Sequence, residues 1–183
     1  MQPANTKLHK LTILSLMIAL DVVLSPLFRI EGMAPMSSVM NVLGVSLMGP
    51  LYGTAMALIC GLLRMLLLGV PPLALTGAVF GALLAGLAFK YTQSIYGAMI
   101  GEIIGTGLIG SLLSYPVMVW FTGSSQGMYW FLYTPRFFGG AISGALIGYF
   151  VYLKLSKQPK FIELQRYFRG EIIHGHTVSR KES

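Results

Sequence analysis

The sequence predicts an all-α membrane protein, a bundle of six transmembrane helices with N and C termini both cytoplasmic. Three observations carry that expectation. Across 183 residues 55% are hydrophobic and only 10% are charged, the balance of a lipid-solvated chain rather than of a water-soluble core. Six apolar runs approach the roughly 20 residues that cross a bilayer, and glycine, proline or polar turn residues separate them. The basic residues gather on one side of such an arrangement.

The first run spans about Leu11 to Phe28 behind Lys7 and Lys10. It holds Asp21 and Pro26 and lacks a small-x-small cleavage site, which marks a mature helix rather than a signal peptide. The second, about Ser38 to Met48, is short and stops at Gly49-Pro50; it extends into neighbouring residues. The third runs from Leu51 to Leu68 and ends on Gly69, Pro71 and Pro72. A fourth covers about Leu73 to Phe89, a fifth Tyr96 to about Phe121, and a sixth about Trp130 to Leu153. Residues 1–153 thus form the transmembrane domain, and 154–183 a basic cytoplasmic tail. In that tail Phe161, Leu164 and Phe168 recur at helical spacing among Lys160, Arg166 and Arg169. Two readings fit: a short amphipathic helix on the inner leaflet, or a solvated basic segment.

Lys7, Lys10, Lys90, Lys154, Lys157 and Lys160 fall on one face of the six-helix arrangement, which the positive-inside rule makes cytoplasmic. The net charge of +7 therefore reflects topology, and no nucleic-acid partner is expected. The single cysteine, Cys60, builds no disulfide framework, and His174 with His176 lack a third ligand, so neither metal nor cofactor is expected. Glycine pairs four apart, Gly77/Gly81, Gly97/Gly101 and Gly140/Gly144, predict close helix packing.

Ionisable residues inside membrane helices cost on the order of 2.5–3.5 kcal/mol each on insertion scales, so each marks a site or an internal pair. Asp21, Arg64, Glu102 and Arg136 are four such residues. Arg64 and Arg136, with Asn41, Ser111, Ser114, Tyr115 and Trp130, project toward the outer half. One reading is an outward pocket in which Asn41, Arg64, Ser111, Tyr115 and Arg136 bind substrate and Trp130 or Tyr133 stacks on it. The other is snorkelling arginines, Asp21 neutralising one of them, and an interfacial aromatic belt. Glu102 suits a packing hydrogen bond or a coupling carboxylate. Ser15 and Ala19 make a small patch on one face of helix one, for internal packing or for docking a membrane partner. No metalloprotease helix, nucleophile elbow, aspartate pair or phosphate loop occurs, so an enzyme is not expected and any ATP must be hydrolysed by a partner.

The stretch from Ala19 through Asp21 to Pro26, followed by Asn41-Val42-Leu43 and Leu47-Met48-Gly49-Pro50, resembles the opening of a substrate-binding S component of an energy-coupling factor importer. Gly101-Glu102-Ile103-Ile104-Gly105-Thr106-Gly107, with Ile109-Gly110 and Tyr115-Pro116, resembles the thiazole-specific branch, ThiW. The resemblance covers roughly residues 8 to 153. It implies a six-helix protein of a prokaryotic plasma membrane that captures a thiamin precursor such as hydroxyethylthiazole from outside. It implies a transmembrane scaffold subunit and two ATPase subunits as partners. It also implies that the first outer loop, Arg29, Glu31 and Ser37 with the adjoining Ser38, covers the ligand, and that Ser15 and Ala19 face the scaffold. Another vitamin as ligand, an independent small transporter and a membrane-embedded enzyme are the alternatives.

Overall fold

In the computed structural model the described residues are 7–29, 33–125, 127, 129–168 and the backbone of 3–6, 169, 172–173 and 176–177. Glu31 and His174 lie outside them, as does the side chain of His176. Among the described residues five helices are long and apolar enough to cross a membrane.

Helix α1 (Pro3–Leu27) starts earlier than its apolar run, because the lysines before that run are sound helix formers. It turns Leu14, Ile18, Asp21 and Ser25 inward at three- and four-residue spacing and leaves Ser15 and Ala19 exposed. Helix α2 (Pro35–Leu68) contains both the second and the third apolar runs. Its 34 residues are not straight. Ser37 and Arg64 are 27 positions apart, roughly 40 Å along an ideal helix, yet Arg64 Nη2 donates to Ser37 Oγ at 3.2 Å. The reversal lies at Gly49, whose φ of 80° favours glycine, and at Pro50. Two antiparallel arms, 35–48 and 50–68, pack so closely that a Cβ on Gly53 would stand 3.0 Å from the Val45 Cα. The break read at Gly49-Pro50 is real, but it makes a hairpin without an intervening loop.

Gly69 closes the second arm in the left-handed conformation, its N–H donating to Arg64 O. Pro71 and Pro72 then hold the chain out of helix until α3 (Leu73–Thr92). Ser94 caps the next rod by accepting from the Tyr96 N–H. That rod comprises α4 (Ile95–Glu102), a π-helical segment Ile103–Gly110 and α5 (Ser111–Thr122). Its glycines admit α3: Cβ atoms on Gly101 and Gly105 would run into the carbonyl oxygens of Leu84 and Phe80. Gly144 of α6 (Thr134–Leu155) meets Pro35 of α2 in the same way. Trp130 does not begin α6; residues 129–133 form turns, and Pro135 sits in the first helical turn, where its missing N–H is no loss.

Helix α7 (Pro159–Arg169) is the amphipathic helix of the basic tail. It packs onto the bundle. Phe161 is buried in a cluster with Leu14, Ile18, Met40 and Met56, while Leu164 and Phe168 lie against it. Tyr52 and Phe168 meet edge to face at 5.2 Å, and Lys10 stands over the Phe168 ring. Beyond it, Ile172–Ile173 and His176–Thr177 pair antiparallel over two residues each.

Candidate functional site

At the end of the bundle where α1 finishes and α3 and α6 begin, the helices enclose a cavity of about 120 Å³. It is smaller than the roughly 300–1,000 Å³ of drug-sized sites and suits one small ring compound. The lysines read as cytoplasmic belong to the opposite end: Lys90 and Lys154 are in the last turns of α3 and α6, whose first turns line the cavity. Apolar walls come from Pro26, Met33, Ala34, Leu68, Leu73, Ala74 and Phe137. Polar groups are Ser25, Ser37, Ser38, Asn41, Arg64, Glu102 and Thr106, with Arg29 and Arg136 exposed.

Asn41 joins three rods. Its Nδ2 donates to Ala78 O at 3.1 Å and to both Glu102 oxygens at 3.2 Å, which fixes its orientation and leaves Oδ1 buried without a partner. Thr106 Oγ1 donates to Glu102 Oε1 at 2.8 Å. Arg64 is 4% exposed, a buried guanidinium whose Nε has no partner although Nη2 is held by Ser37. Asp21 is its acidic neighbour, itself accepting from Ser25 Oγ at 2.5 Å. Orphaned polar atoms on two lining residues are what a ligand's own donors and acceptors can satisfy.

The residues anticipated as substrate-binding divide. Asn41, Arg64 and Arg136 line the cavity, as do Arg29, Ser37 and Ser38 from the expected covering segment, although Ser37 and Ser38 belong to α2. Ser111, Tyr115, Trp130 and Tyr133 do not line it. Ser111 Oγ donates back to Gly107 O at 2.6 Å and meets Thr134 Oγ1, tying the long rod to α6. Tyr115 and Trp130 stack on each other at 4.7 Å between ring centroids. The aromatic wall is instead Phe137, one residue beyond the arginine that the sequence singled out. Thr106 was also missed; its position one helical turn after Glu102 was the available signal. Asp21 and Glu102, read as structural or coupling groups, stand respectively behind and in the cavity wall. Among the described residues no three His, Cys, Asp or Glu side chains come together as a metal site.

Membrane-length apolar helices, with a small cavity of mixed polarity between them, have the form of a multi-pass membrane protein with room for a small molecule. Residues 11–158 match the model of the thiamine-precursor transporter protein family, ThiW, and the chain belongs to that family. No curated protein and no solved structure matches it.

Proposed function

We infer that this chain is the substrate-binding S subunit of an energy-coupling factor importer and captures hydroxyethylthiazole on the outer side of a prokaryotic plasma membrane. The observation that carries the reading is the position of the cavity: it opens at the lysine-poor end of the bundle, in a member of a thiamine-precursor transporter family. With the two arms of α2 counted separately the chain crosses six times, and the positive-inside rule leaves both termini and α7 in the cytoplasm. A neutral ring compound with only about nine non-hydrogen atoms has little to bind with. Even the best tiny ligands gain only about 1.5 kcal/mol per atom, so tight capture requires enclosure, and Arg29, Met33, Ala34 and Ser37 line the cavity beside its buried polar floor. Uptake then needs partners, since the chain carries no nucleotide-binding loop: a scaffold subunit docking on α1 through Ser15 and Ala19, and two ATPases.

Isothermal titration calorimetry of the purified protein with hydroxyethylthiazole, thiamin and pyridoxine tests this. Saturable 1:1 heat with the thiazole alone is expected. Binding of thiamin or pyridoxine without the thiazole would overturn the ligand and move the chain to another vitamin.

A further inference from the structure

Glu102 is the only carboxylate that lines the cavity among the described residues, and it is fully buried there. Asn41 and Thr106 fill three of its roughly four acceptor positions. The Ser38 hydroxyl is a further donor to the carboxyl and belongs to a residue that lines the cavity, so a ligand's O–H reaches Glu102 by exchanging with it. Space has been cleared for this group: a Cβ on Gly81 would stand 2.6 Å from Glu102 Oε2 and would run into Thr106 Oγ1. The π-helical segment begins at the next residue, a distortion that recurs at functional sites. A neutral amide would offer these donors a single oxygen and turn its own N–H groups toward the Asn41 Nδ2, whereas the carboxyl presents an acceptor at both positions. A ligand donor enters that shell in place of Ser38, whose hydroxyl is then free to turn to the ligand's oxygen.

We propose that Glu102 is the recognition residue of the site, accepting the O–H of the ligand's hydroxyl group and thereby selecting hydroxyalkyl azoles over their ethers and phosphate esters. This rests on the thiazole-alcohol reading above. An ether places no donor against the carboxyl, and a phosphate ester brings negative charge to a carboxylate. Arg64, on the same cavity wall set and with Nε unpartnered, supplies the complementary donor for the ring nitrogen.

The test uses the full-length protein in nonionic detergent, with hydroxyethylthiazole, its methyl ether and its phosphate ester as probes. The wild type binds the alcohol about tenfold or more tighter than the ether, the effect of leaving a buried acceptor unpaired, and binds the ester no better than the ether. That preference shrinks in Glu102→Gln, which keeps a neutral acceptor, and disappears in Glu102→Met. An alcohol-to-ether ratio unchanged in either variant overturns the proposal, because a purely structural Glu102 would weaken both probes equally. Should the variants fail to fold, infrared difference spectra of the wild type decide: the alcohol shifts a carboxylate band that the ether leaves in place, and identical spectra overturn the proposal. Equal affinity of the wild type for alcohol and ether removes the role of Glu102 and leaves the thiazole reading standing. Binding of none of the three probes removes both.

Discussion

Gln165 of α7 donates its side-chain amide to the carbonyl oxygen of Ser46 at 2.7 Å. In an unbroken helix that carbonyl would accept from the residue four positions on. That residue is Pro50, which has no N–H. The hairpin of α2 therefore creates an orphan acceptor beside its bend, and a side chain from the far end of the sequence satisfies it.

Replacing Gln165 by Leu keeps the volume and leaves the Ser46 carbonyl, buried under α7, without a donor. A stability loss of about 1–3 kcal/mol is expected, read as a lower melting temperature in detergent. Affinity for the ligand should change less than twofold, since the cavity lies at the other end of the bundle. A variant as stable as the wild type would show that water takes the place of the amide.

The glycine contacts separate two kinds of position around the cavity, Gly81 behind its wall and Gly140 in it. Gly81→Ala drives a methyl group into Thr106 and Glu102 and should abolish ligand binding. Gly140→Ala meets its nearest atom, the Ala34 N, at 3.5 Å, an ordinary contact, and should bind within about threefold of the wild type. Calorimetry on both variants checks the pair; equal loss in the two would mean that the α6 interface tolerates no more than the α3 interface does.

Phe137 and Trp130 offer a second contrast. Phe137→Ala removes the aromatic wall of the cavity and should weaken binding by about 10-fold or more, of the order of a lost aromatic contact plus the void it leaves. Trp130→Ala breaks the stack on Tyr115 outside the cavity and should weaken binding by less than about threefold. The reverse ranking would place the ligand nearer the 129–133 turns.

The difference between these two aromatics shows where sequence reading succeeded and where it stopped. Hydropathy and punctuation located every apolar run, because lipid contact and proline act locally on the chain. The depth of Asn41, Arg64 and Arg136 followed from counting along those runs. Depth alone does not tell which way a side chain points, and Tyr115 and Trp130 share the cavity's end of the bundle while facing each other. The fold-back of α2 onto itself at Gly49 was visible as a break, whereas the closeness of its arms depends on Gly53 meeting Val45, a contact between residues that no local pattern pairs. Likewise the burial of Phe161 and the reach of Gln165 to Ser46 join segments 119 positions apart in the latter case.

Orientation in the membrane is accessible to labelling. In a Cys60→Ala background, Ser125→Cys should react with an impermeant thiol reagent in intact cells, and Gln158→Cys should react only after lysis; both native residues are exposed. The opposite pattern would invert the bundle and put the cavity on the cytoplasmic side.

Ser15 and Ala19 lie exposed on α1, on the side turned away from Leu14 and Ile18. Ser15 Oγ is tied down by its own helix, donating to Leu11 O at 2.9 Å, so the patch presents little polarity and little bulk. In lipid such a surface gains nothing from exclusion of water; its advantage is the close approach of another helix. Ser15→Trp together with Ala19→Trp should therefore abolish co-purification with a scaffold subunit. Ligand affinity of the isolated protein should stay within about twofold, because neither residue lines the cavity. Single Ala19→Trp should give a partial loss, since one indole blocks a single contact position while the Ser15 surface stays open. Pull-down from membranes containing the scaffold and ATPase subunits, with calorimetry on the same preparations, separates assembly from capture. A double variant that assembles and imports normally would place the docking surface on a different helix.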